Sequence, residues 1–145
     1  MRSRPLVLIV EDEPDILMLL RVVIEMNGYD AALAADGSTA LERLDAEKPD
    51  LVLLDLMLPV MDGWTVLAEM RSRPNPPPVI ICSAARSARD VELAEERGAE
   101  AVLLKPLDMD QLLETMSRSL AARDPKPAPE YRLSSDRPAE GIQPA

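Results

Sequence analysis

Leu51-Val52-Leu53-Leu54-Asp55-Leu56-Met57-Leu58-Pro59 is the stretch on which the fold turns. Four apolar residues run into a carboxylate, and a proline closes the segment. A short continuous apolar run bounded by turn signals suits a strand covered on both faces, as in a parallel sheet. An acid directly after such a strand stands at the sheet's carboxyl edge, where open α/β sheets bind their ligands.

Four more runs share this character: Leu6–Val10, Tyr29–Ala34, Val79–Cys82 and Ala101–Leu104. The second is rich in alanine and the weakest of the five. Helical patterns fill the gaps. Pro14 suits a first helical turn, with Ile16, Leu19, Leu20 and Val23 expected inward and Asn27-Gly28 as the stop. Asp36 is placed to cap a second helix carrying Ala40, Leu41 and Leu44, which ends before Pro49. Asp62 is placed to cap a third, with Trp64, Leu67 and Ala68 inward. A mostly polar fourth spans about Ser87 to Arg97 and stops at Gly98, and a fifth carries Met109, Leu112, Leu113, Met116 and Leu120. This alternation predicts an α/β fold: a five-stranded parallel sheet of flavodoxin-like order 2-1-3-4-5, with five helices on both faces and right-handed crossovers.

The folded unit is expected over residues 1–121. Residues 122–145 hold five prolines, balanced charge and few large apolar side chains, the composition of a solvated, disordered tail. The chain of 145 residues has a net charge of −10, all of it carried by the body, which disfavours general binding to nucleic acid or anionic membrane. Histidine is absent, which excludes a Ser-His-Asp triad, a His-ligated zinc site and a histidine phosphocarrier. One cysteine, Cys82, excludes an intrachain disulfide and suits a reducing compartment. No stretch approaches the ~20 apolar residues of a membrane span. The Leu6–Val10 run is too short for a secretory signal, so a cytoplasmic protein is expected.

The strand ends bring chemistry together. Glu11 and Asp12 follow the first strand, Asp55 the third, Ser83 the fourth, and Lys105-Pro106 the fifth. Singly these residues say little: Asp12 reads equally as a helix cap, and Asp55 as a turn residue. Lys105 in the apolar setting Leu103-Leu104-Lys105-Pro106 needs an anion, because burying an unpaired ammonium is costly. Three crowded carboxylates must take up protons or bind a hard cation, and magnesium suits oxygen donors. With charge neutralised, an aspartate is a competent nucleophile toward a phosphoryl group. Lys105, the Ser83 hydroxyl and backbone N–H groups would steady the incoming oxygens.

Over residues ~5–121 the chain resembles the receiver domain of a two-component response regulator, of the single-domain, chemotaxis-regulator-like kind. The resemblance rests on Glu11-Asp12 in Val10-Glu11-Asp12-Glu13-Pro14, Asp55 before Leu56-Met57-Leu58-Pro59, and Met61-Asp62-Gly63. It also rests on Cys82-Ser83-Ala84 and on Gly98-Ala99-Glu100-Ala101 leading to Lys105-Pro106. It implies Asp55 as phosphoacceptor. Asp12 would bind Mg2+ directly and Glu11 through water, with Asp55 and the Met57 carbonyl completing the protein ligands. It further implies Ser83 and Lys105 on the phosphoryl oxygens, small Ala84 as access, and a cis Lys105–Pro106 peptide. The donor would be a histidine kinase or a histidine phosphotransfer protein, and the output a change in binding to a downstream protein. Direct nucleic-acid contact, membrane association and turnover of an external substrate are not expected, and a phosphorylation-dependent homodimer is left open.

Two positions depart from the family pattern. Val102 stands where an aromatic switch residue is usual, and Leu107 where many DNA-binding members carry Phe, which favours a stand-alone or phosphorelay receiver. Met57 and Ala85 carry no group that would orient an attacking water, so slow self-hydrolysis is expected. Three rival readings remain. An Mg-dependent phosphatase with an Asp nucleophile would commonly place a second acid where Met57 stands. A flavodoxin-like cofactor binder would lack Glu11-Asp12-Glu13 after its first strand, since these acids repel phosphate. A degenerate receiver would act by binding alone.

Overall fold

The structure, a computed structural model, describes residues 3–84 and 87–123. Five strands alternate with five helices: β1 Leu6–Val10, α1 Pro14–Met26, β2 Asp30–Ala34, α2 Gly37–Glu47 and β3 Leu51–Leu54. Then follow α3 Gly63–Arg71, β4 Val79–Ser83, α4 Ala88–Glu96, β5 Ala101–Leu104 and α5 Met109–Arg123. The sheet is parallel throughout, in the order β2-β1-β3-β4-β5. Helix α5 runs to Arg123, and the rest of the expected tail, 124–145, lies outside the described residues, as does Ala85. Among the described residues no helix is long and apolar enough to cross a membrane.

The continuous apolar runs are explained by the two-sided core. Alternate residues of a strand face opposite sides of the sheet. Leu8, Val10, Val52, Leu54 and Ile81 pack with Ala40 and Leu44 of α2, Val66, Leu67 and Met70 of α3, and Ala94 of α4. Val7, Ile9, Leu53, Ile80 and Cys82 pack on the other side with Leu20 and Ile24 of α1 and Leu112 and Met116 of α5. Each fully buried Leu or Ile contributes about 1.5–3 kcal/mol of burial free energy. The sheet is thereby a rigid platform whose carboxyl edge carries the polar residues.

Local signals set the helix ends. The Asp36 carboxylate accepts from Thr39 N–H at 2.7 Å, Asp62 from Thr65 N–H at 2.9 Å, and the Ser87 hydroxyl from Asp90 N–H at 3.3 Å. Gly98 ends the α4 region at φ 101°, in the left-handed region that glycine adopts without strain.

Four local expectations are corrected. Tyr29 is not in β2; its N–H donates to Ile24 O and closes α1, and the strand begins at Asp30. Leu19 is 52% exposed, while Leu20 and Ile24 face the core. Ala68 is exposed, because α3 buries Gly63, Val66, Leu67 and Met70, a three-to-four spacing that turns position 68 outward. On β4, Ser83 is the last strand residue rather than the first beyond it.

Candidate functional site

Residues from four strand ends meet at the carboxyl edge. Register makes this possible: Val10 lies opposite Leu54, Leu54 opposite Ile81, and Ser83 opposite Leu104. Asp55, next after Leu54, is therefore at the centre, with Glu11 on one side and Ser83 and Lys105 on the other. Its backbone is pinned by its own N–H donating to Val10 O at 3.0 Å.

The Asp55 carboxylate is 4% exposed as a residue and fully engaged. Oδ1 accepts from Met57 N–H at 3.0 Å and from the Ser83 hydroxyl at 3.3 Å. Oδ2 accepts from the Lys105 ammonium at 3.1 Å. The same ammonium donates to Glu11 Oε1 at 2.7 Å, and Glu11 Oε2 accepts from Glu13 N–H at 3.2 Å. One cation thus bridges two buried carboxylates, which otherwise repel each other.

Burial raises the Glu11 carboxyl above its ordinary value, against the lowering pull of Lys105 and the Glu13 N–H. Burial works to lower the Lys105 pKa, but bonds and charge from Glu11 and Asp55 outweigh it and the net shift is upward. Lys105 is accordingly a fixed positive charge. Burial pushes the Cys82 thiol up to about 12, and it lies in the core beneath the edge, a packing residue rather than a reactive one.

Asp12 is exposed at the mouth. One carboxylate oxygen from each of Glu11, Asp12 and Asp55 lies within 4.8 Å of the others. Three acids against one lysine leave a local negative excess made only of oxygen donors, the set that a hard divalent cation takes. The donor set fits magnesium.

The remaining expected positions fall as follows. Ala84 is exposed beside Ser83. The Lys105–Pro106 peptide is cis. Val102 is half-buried opposite Ile81 and packs against the α2–α3–α4 side of the core.

Two features escape residue-type reasoning. The Met57 N–H is a ligand of Asp55, and backbone donors carry no side-chain signature. Gly63 approaches the strand end so closely that a Cβ there would collide with Leu56 Cα and come within 2.7 Å of Asp55 O. Its N–H donates to Leu56 O at 2.9 Å, tying the start of α3 to the loop that follows Asp55. The glycine after the capping Asp62 is the signal from which this approach was readable.

A buried central aspartate, two further acids and a cross-sheet lysine on a 2-1-3-4-5 sheet define a receiver domain. Residues 7–117 match the response regulator receiver domain family, and the chain belongs to it. The chain is 36% identical over 128 residues to the DNA-binding response regulator MtrA of Mycolicibacterium smegmatis, covering 88% of this chain and 55% of MtrA. It is 34% identical over 121 residues to the transcriptional regulatory protein PrrA of Mycobacterium tuberculosis, covering 83% and 52%. Among solved structures it is similar to a CheY-like response regulator receiver domain protein of Methanospirillum hungatei. There the TM-score is 0.78 and identity 29%, over 83% of this chain and 97% of that one. The chain spans about half the length of the curated relatives it matches. Receiver domains bind Mg2+ at an acidic pocket, and Glu11, Asp12 and Asp55 form such a cluster here.

Proposed function

We propose that the protein is a phosphorylation-dependent signalling switch that accepts a phosphoryl group on Asp55. The observation that carries this is the fully engaged Asp55 carboxylate, with two neutral donors on one oxygen and the Lys105 ammonium on the other. An Asp55 oxygen attacks the phosphorus of a phosphohistidine in a histidine kinase or phosphotransfer protein. The O–P bond forms as the P–N bond breaks, and the departing imidazole nitrogen takes up a proton. Lys105, Ser83 and the Met57 N–H, which now bond the Asp55 carboxylate, would stabilise the transferred oxygens. Asp12, Asp55 and the Met57 carbonyl would hold Mg2+, with Glu11 acting through water. The bound ion would supply neutralisation of the excess negative charge. Small, exposed Ala84 leaves the approach open.

The phosphoryl group would bias a two-state equilibrium that a downstream protein reads. Moving that equilibrium from 1:99 to 99:1 takes about 5.5 kcal/mol of differential stabilisation. Ser83 would be drawn toward the new oxygens, and Val102, with no ring to follow it, would transmit the change by packing alone. On this reading residues 1–121 are the receiver and 122–145 an appended tail. The protein works in the cytoplasm, turns over no external substrate and binds protein rather than nucleic acid, in keeping with its net charge of −10. The term DNA-binding belongs to the MtrA relative, of which this chain covers 55%.

The test combines intact mass with Trp64 fluorescence. Trp64 is half-buried on α3, with the Arg97 guanidinium 5.5 Å from its ring centroid. The protein treated with Mg2+ and a small phosphoryl donor gains the mass of one phosphoryl group, and Asp55→Asn gains none. A wild-type protein with no adduct would leave a receiver that acts by binding alone.

A further inference from the structure

At the amino-terminal edge of the sheet, opposite Asp55, lies a cavity of about 350 Å³. Its walls come from the end of α3, the loop before β4, the residue before β5 and the C-terminal part of α5. That volume falls at the small end of the ~300–1,000 Å³ usual for small-molecule sites. Three side chains bring chemistry to it: Arg71, Glu100 and Ser119.

The Arg71 guanidinium is positioned but largely unused. Gly98 makes room for its shaft: a Cβ there would stand 2.9 Å from Arg71 Nε and 3.3 Å from Cδ and Cγ. Arg71 Nη1 donates to Pro77 O at 3.4 Å, one bond from a group with five donors. No ion pair engages Arg71 among the described residues. Glu100 is exposed, and its carboxylate likewise makes no ion pair among the described residues. An acid and a base thus line one cavity without pairing to each other. Ser119 is 5% exposed, and its hydroxyl makes no hydrogen bond among the described residues. A buried polar group without a partner is costly, and an occupant of the cavity would supply one.

We propose that this cavity binds a small zwitterion, an aliphatic α-amino acid, with its carboxylate on Arg71 and its ammonium on Glu100. A ligand with one charge alone is disfavoured, because an anion meets the Glu100 carboxylate and a cation meets the Arg71 guanidinium. The Ser119 hydroxyl serves either group, since it both donates and accepts. Asn75 adds a carboxamide to the lining. Pro76, Pro78 and Ala122 make the apolar part of the wall, which suits an aliphatic side chain. Arg71, Glu100 and Ser119 belong to three separate parts of the chain, so the occupant ties the end of α3, the start of β5 and α5 together. The cavity and Asp55 lie at opposite edges of the sheet. Ligand and phosphoryl group therefore do not compete, and the test does not depend on the switch.

The experiment titrates L-leucine into the isotope-labelled full chain and follows the backbone amide signals. Saturable shifts are expected at Gly98, Glu100 and Ser119 and none at Asp55 or Met57, with a dissociation constant on the order of millimolar for so small a ligand. N-acetyl-L-leucine lacks the ammonium and L-leucinamide lacks the carboxylate, and each binds about tenfold more weakly or worse. Glu100→Gln and Arg71→Gln, both at exposed positions, each weaken leucine binding about tenfold. Absence of saturable shifts overturns the proposal, as does equal binding of either analogue. Shifts unchanged in both variants place the ligand elsewhere and likewise overturn it.

Discussion

Lys105 Nζ stands 2.7 Å from Glu11 Oε1, although 94 residues and two intervening strands, β3 and β4, separate them. The long Lys side chain spans the edge and pairs with Asp55 on the way. Lys105→Met removes the charge that offsets the repulsion between two buried carboxylates. Breaking a buried pair costs about 3–5 kcal/mol. The Lys105 side chain is 18% exposed, so about 2 kcal/mol is expected here. Thermal unfolding with and without Mg2+ checks it, and the variant gains more from the ion than wild type does, because the cation replaces the lost charge.

Gly63→Ala places a methyl group against Leu56 and Asp55 O. Backbone cannot yield as a side-chain tip can, so a loss of about 1–3 kcal/mol is expected. The displaced segment carries Asp55, and adduct formation falls even at temperatures where the variant is fully folded. Intact mass beside a melting curve separates the two effects.

Val60 has φ 67° and is fully exposed. A β-branched residue in the left-handed region costs about 1–2 kcal/mol, and asparagine tolerates it. Val60→Asn raises stability by about 1 kcal/mol, read as a higher urea midpoint at unchanged slope. No core contact is lost, since the side chain touches solvent.

Much of this architecture was legible because the signals were redundant. Continuous apolar strands, capping Asp36 and Asp62, and acids directly after β1 and β3 all pointed to one topology. The errors arose where one signal stood alone. In α1 the sequence Ile-Leu-Met-Leu-Leu is apolar at every position, so periodicity selects no face and the inward expectation for Leu19 fails. Packing against Val7 and Ile9 decides the matter in favour of Leu20 and Ile24. At the site, side-chain identities placed Glu11, Asp55, Ser83 and Lys105. The Met57 N–H bond and the Gly63 approach belong to the backbone, and composition does not encode them.

Asp36 supplies a pH test away from the site. Its carboxylate accepts from the Thr39 N–H and hydroxyl, which holds it below its ordinary value. A lowered folded-state pKa means stability present above the unfolded value of 3.8 and lost as pH falls through the lowered one. Asp36→Asn keeps an acceptor for the N–H, loses the charge and cannot titrate. Wild type is the more stable at neutral pH, and the gap in urea midpoint closes in acid below pH 3.8.

Met57 offers a test of signal lifetime. The residue is 62% exposed, two positions beyond Asp55, and its side chain carries no group that orients water. Its N–H already serves Asp55 Oδ1, so substitution of the side chain leaves that bond in place. A phosphoryl group on Asp55 is therefore expected to persist. Met57→Asn adds a carboxamide that positions water without removing its proton. The gain is expected at about tenfold, below the ~10²–10⁴ of a full general base. The decay of the phosphorylated mass after donor removal measures this directly. Equal decay in both proteins would assign the lifetime to the backbone and Lys105 alone.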